Sequence, residues 1–143
     1  MPFPTITTCI VCEQARPEIG GKFTLLGFYG VAPDVRINIQ NFNQPVGLCF
    51  VFVGGAGSGH FVIGLRITAP NGQTFDAPSV EGDLAPAAIG SRFFMGFAGV
   101  LPGPGNYSAS LLVNGTPNSH ATFGLDNAPA AAVVPGAPAA QPN

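Results

Sequence analysis

The segment Phe61-Val62-Ile63-Gly64-Leu65-Arg66-Ile67-Thr68, followed by Ala69-Pro70-Asn71-Gly72, decides the class of fold. Side chains alternate along an extended chain, so Phe61, Ile63, Leu65 and Ile67 share one face and Val62, Gly64, Arg66 and Thr68 the other. Asn71-Gly72 tolerates the positive φ that a tight hairpin needs, and Gln73 to Phe75 is therefore expected to pair back. The same period recurs outward in both directions. Val35, Ile37 and Ile39 alternate with Arg36, Asn38 and Gln40. Tyr107, Ala109, Leu111 and Val113 oppose Ser108, Ser110 and Leu112, and Ala121, Phe123 and Leu125 oppose His120 and Thr122. Gly47 to Val53 (GLCFVFV) is apolar on both faces, the pattern of a central strand. Lys22 to Val31 (KFTLLGFYGV) also alternates, but its second set includes Leu26 and Phe28, which implies cover on both sides.

These strands, with turns every eight to twelve residues or so, point to an all-β fold. The expected architecture is an antiparallel β-sandwich, immunoglobulin-like, of seven to eight strands. Tyr107 opens a late strand after Pro104-Gly105-Asn106, where such sandwiches use a tyrosine hydroxyl to tie down the adjacent loop. Asp76 to Gly90 has no clear period; a short helical turn around Leu84 to Ile89, or only loop, fits it. The domain is expected over residues 1–126, with an Ala/Pro-rich tail at 127–143 that is disordered or docked on a partner.

The chain has 143 residues, with 20 Gly, 15 Pro, 12 Phe and no Trp. Five Lys or Arg against seven Asp or Glu leave a net charge of −2. So few cations make no basic field for phosphates, and no nucleic-acid partner is expected. The opening Met1-Pro2-Phe3-Pro4 lacks a charged, apolar leader pattern, so the expected compartment is cytoplasmic. No apolar run approaches the roughly 20 residues of a membrane span.

Cys12-Glu13-Gln14-Ala15-Arg16-Pro17-Glu18, followed by Gly21-Lys22-Phe23-Thr24-Leu25-Leu26-Gly27-Phe28-Tyr29, resembles the opening of an uncharacterised family of small bacterial β-sandwich proteins. Its C-E-x-x-R-x-E … G-K-x-x-L-x-G-x-Y pattern is joined here by Pro70-Asn71-Gly72 and by Pro104-Gly105-Asn106-Tyr107. The resemblance spans roughly positions 9 to 125 and implies the sandwich fold; it brings no activity with it.

Glu13, Arg16, Glu18 and Lys22 gather four charges in ten residues. They form either a polar binding site with Arg16 as a fork for an anion, or a charge-paired corner fixing the first two strands. Cys9 and Cys12 make a CxxC, yet positions i and i+3 of a strand face opposite ways, so neither zinc nor redox work is expected of that pair. Gly54 to Gly59 lacks the Lys-Ser/Thr ending of a phosphate loop. His60 and His120 are lone histidines, and Asp76, Glu81 and Asp83 match no calcium loop. No catalytic residue, metal site or cofactor is expected, and the chain is read as not an enzyme.

The distributed signal is apolar. Leu26, Phe28, Val62, Phe94 and Leu112 exceed what one sandwich interior needs, and charge is far below that of an average domain. The sequence therefore suggests a non-enzymatic structural or protein-interaction module, self-associating or bound to an assembly scaffold. A small-molecule or glycan binder using the loops at one end is the alternative, with an enzyme of unnamed class behind both.

Overall fold

The computed structural model describes residues 3–84 and 90–128, and these form two β-sheets with no helix. Ten strands run in chain order through the described residues: β1 (Ile6–Pro17), β2 (Phe23–Val31), β3 (Arg36–Ile39), β4 (Val46–Gly54), β5 (Gly59–Thr68), β6 (Thr74–Asp76), β7 (Val80–Leu84), β8 (Ser91–Gly99), β9 (Gly105–Val113) and β10 (Thr116–Asn127). One sheet has the order β2-β1-β4-β8, and the other β3-β10-β9-β5-β6, with β7 also paired to β5.

The alternating faces meet as the sequence pattern requires. Val11, Leu48, Phe50 and Phe52 of the first sheet pack against Ile63, Leu65, Ile67, Leu111 and Leu125 of the second. Phe50 contacts Phe123 across the gap at a ring distance of 5.2 Å, and Tyr107 stacks on Phe123 at 5.5 Å. Burying each such side chain contributes about 1.5–3 kcal/mol, which makes this interior the main source of stability.

Three expectations need correction. The strand count is ten among the described residues, and β3 runs parallel to β10, so the sheets are not wholly antiparallel. The parallel pair arises because the chain changes sheets between β2 and β3 through the tight Ala32–Asp34 turn. Arg36 then pins β3 down, donating to Asp126 from Nε and Nη2 and to Asn106 from Nη1 at 3.2 Å. The unread segment contains β7, whose Val80-Glu-Gly-Asp-Leu84 is nearly all exposed; backbone pairing to β5, rather than burial, makes it a strand. The helical turn expected around Leu84 to Ile89 falls, beyond Leu84, outside the described residues. So does the tail from residue 129 onward.

The expected interface set is also redistributed. Leu112 is buried, beside the space left by Gly64. Phe94 packs on a second apolar cluster of Cys12, Cys49 and Val51, on the outer side of the four-stranded sheet. Val62 is half-buried, and of the five only Leu26 and Phe28 are exposed, at 38% and 58%. Much of the apolar surplus is thus absorbed within the chain, because the outer face of β4 carries its own small core.

Candidate functional site

The two sheets are stitched along one side by aromatic side chains, and the stitching leaves a gap. At one end Phe3, just before β1, stacks on Phe93 of β8 at 5.1 Å and meets Phe61 of β5 edge-on at 5.0 Å. At the other end Phe75 of β6 meets Phe97 of β8 at 6.3 Å. Between them β7 replaces β6 as the neighbour of β5, and a cleft of about 280 Å³ opens between β7 and β8.

Ile63 and Met95 are buried at the cleft, and Phe61, Phe93, Val80 and Leu84 complete its apolar walls. Gly82 lies opposite Phe61 in the strand pair, and a Cβ built there would meet nothing within 4 Å. Val80 is 62% exposed at the mouth. Asp83 and Arg92 supply the charges of the rim. The Arg92 guanidinium lies over Phe23 at 5.1 Å and donates to the Gly21 carbonyl at 2.5 Å.

The flap strand is held by His60. Its Nδ1 lies 2.7 Å from an Asp83 carboxylate oxygen and its Nε2 2.8 Å from Glu81. Both ring nitrogens face acceptors, which suits the imidazolium; the bonds to Glu81 and Asp83 push its pKa above the ordinary 6.5. Glu81, Asp83 and Asp76 therefore do not converge on a cation. Asp76 instead takes the Arg66 guanidinium at 2.8 and 3.0 Å. No cluster of three or more potential metal-ligating side chains occurs among the described residues.

Two broader depressions, each about 610 Å³, open near Gly47, where residues of the first sheet meet residues of the second. They are larger but more open, and Glu13 and Gln14 line both. The seam cleft is smaller and more enclosed, with apolar walls from both sheets, and it is the better-formed binding site.

The expected charge cluster does not assemble. Glu13 accepts from the Tyr29 hydroxyl at 3.4 Å, and Glu18 from the Thr24 hydroxyl at 3.1 Å. Among the described residues Arg16 makes no ion pair with either, since its strand neighbour on β2 is Thr24. The Glu18 N–H donates to the Lys22 carbonyl at 2.8 Å, closing the turn. The Tyr107 hydroxyl donates to the Gly103 carbonyl at 2.6 Å. The Gly54–Gly59 connector is tied at Gly55, whose carbonyl accepts from the Ser91 hydroxyl at 2.9 Å.

One polar pair is not apparent from the sequence. Ser110 Oγ and His120 Nδ1 are 2.7 Å apart on the outer face of the second sheet. Strand register continues this row through Arg66 to Asp76. The Asn114-Gly115 turn signals the hairpin, but the irregularity between Pro117 and Ser119 shifts the pairing by one residue, so Ser110 meets His120. The pair lies on a sheet whose backbone N–H groups are used in strand pairing, so it lacks free donors for a developing oxyanion.

No protein-family model matches the chain, and no curated protein does. Among solved structures, it is similar to Pseudomonas fluorescens alkylpurine DNA glycosylase AlkC bound to DNA containing an abasic site analog. That likeness has 17% identity and a TM-score of 0.40, covering 66% of this chain and 28% of the glycosylase. The expectation of a non-enzymatic, self-associating or scaffold-bound module is corrected against this neighbour, and so is the expectation that nucleic acid is no partner. Neither is carried forward. So distant a likeness assigns no activity and no DNA site to this chain. No helix of the described residues is long and apolar enough to cross a membrane.

Proposed function

We propose that the protein binds a small apolar molecule, of one or two rings, in the seam between β7 and β8. The supporting observation is a cleft of about 280 Å³ walled mainly by apolar side chains of β5, β7 and β8, with Phe3 stacked on Phe93 beside it. An engineered apolar cavity of about 150 Å³ takes up benzene, so this volume suits a somewhat larger ring system. The site lies along the side of the fold, away from the end loops where the sequence placed a ligand.

Immunoglobulin-like topology belongs to the same reading, supported by the Tyr107–Gly103 bond at the start of β9. Kinship with the small bacterial β-sandwich family rests on the Cys12–Glu18 motif. A reducing, cytoplasmic setting suits three buried free thiols.

The test uses anilinonaphthalene sulfonate, an aromatic probe whose fluorescence rises in apolar sites. The folded protein should bind it at one site. Gly82→Leu places a side chain in the empty space of the cleft and should weaken binding by about tenfold or more with the melting temperature kept. Equal binding by the two proteins would overturn the proposal.

A further inference from the structure

The thiols that meet are not those of the CxxC. Cys9 lies in the main core and Cys12 on the opposite side of the sheet, where it sits directly across the β1–β4 pair from Cys49. Antiparallel partners have Cα atoms about 4.5–5.5 Å apart, inside the roughly 4.4–6.8 Å range that a disulfide spans. The Cys12 Sγ–H points along Cys49, 3.8 Å from its carbonyl oxygen.

We propose that Cys12 and Cys49 form a reversible thiol–disulfide site joining the two middle strands of the first sheet, with Cys49 attacking, Cys12 resolving and a low-molecular-weight disulfide as oxidant. Access gives the two sulfurs different roles. Cys49 lines the broad depression over Gly47, Gly96 and Ala98, and its direct partner on β8 is Gly96, which has no side chain to lie over it. Cys12 has no exposed surface. Local hydrogen bonding points the same way. Burial raises all three thiols, Cys9 to about 12 and Cys12 to about 11, while bonds from Cys12 and from the Ala15 backbone oppose the rise at Cys49.

In the first step Cys49 gives its proton to solvent, and its thiolate attacks one sulfur of the oxidant. That S–S bond breaks, the departing thiolate takes up a proton, and a mixed disulfide remains on Cys49. Cys12 then loses its proton and attacks the Cys49 sulfur, expelling the second half of the oxidant as a thiol. Two protein thiols are oxidised and one small disulfide is reduced to two thiols. The thiolates are minor species near neutrality, so the reaction is slow and accelerates with pH.

The experiment exposes the full chain to oxidised glutathione at mildly alkaline pH. Thiols titrated after unfolding should fall from three to one, with the intact mass lower by two hydrogens. Peptide mapping should join Cys12 to Cys49 and leave Cys9 reduced. Cys12→Ser should retain one glutathione on Cys49, and Cys49→Ser should form neither product. The proposal is overturned if glutathione persists on Cys49 of the unaltered chain, if Cys9 enters the bond, or if all three thiols survive a treatment that oxidises the unfolded chain.

Discussion

Tyr107 and Gly103 are joined by a 2.6 Å hydrogen bond from the phenol to the backbone carbonyl, across the turn that leads into β9. The ring is 1% exposed and stacks on Phe123, so the hydroxyl is placed by the core and in turn places the loop. Tyr107→Phe keeps the packing and removes only the donor. The expected loss is about 1–2 kcal/mol, read as a lower urea midpoint with an unchanged slope. A change in slope would mean that the turn shapes more of the fold than this one contact.

The His60 clasp gives the cleft wall a pH dependence of known sign. Glu81 and Asp83 raise the imidazole pKa, so the folded protein holds the proton more tightly than the unfolded chain. Its contribution is fully present below the ordinary value of 6.5 and is lost as pH rises through the higher folded value. Of the groups near the clasp, the uncharged Asn114 side chain bonds the Val62 N–H, and the Arg92 guanidinium is turned away onto Phe23 and the Gly21 carbonyl. His60→Gln should therefore lower the melting temperature below pH 6.5, and the gap from the unaltered protein should close on the alkaline side. The gap should be small, since all three side chains are more than half exposed. A gap constant across the range would show that the histidine acts by shape alone.

The period of two placed most of the strands because burial on one face enforces it: Ile63, Leu65 and Ile67 are all buried, as their spacing requires. β7 was illegible for the converse reason, since a strand held by an edge ladder and a charged clasp carries no apolar pattern. The cleft was hidden by the same fact, for one of its walls belongs to β7. Cys12 and Cys49 stand 37 residues apart, and only strand order brings them together. The apolar surplus was visible, but whether Val51 and Phe94 face water or each other is a matter of sheet curvature and neighbouring side chains.

Gly124 lies directly beneath the Arg36 side chain. A Cβ there would clash with the Arg36 guanidinium, which crosses it to reach Asp126 and Asn106. Gly124→Ala should push the exposed guanidinium aside and loosen β3, the parallel edge strand, with little loss of global stability. Hydrogen exchange at Ile37 and Ile39 should accelerate far more than at Leu65, in the strand interior. Equal acceleration throughout would mean that β3 opens only with the whole fold.

The second cluster makes the sharpest distinction between burial and exposure. Val51 is 0% exposed although it sits on the outer side of its sheet, packed with Cys12, Cys49 and Phe94, whereas Phe28 is 58% exposed. Val51→Ala removes two methyl groups from a site whose neighbours hang on strands fixed by the main core and so collapse only in part. The expected cost is about 2 kcal/mol. Phe28→Ala deletes a much larger side chain yet should stay within about 0.5 kcal/mol, as an exposed position does. Urea unfolding of the two variants measures the contrast, and the reverse order would mean that Phe28, rather than the Val51 cluster, carries the outer face of this sheet.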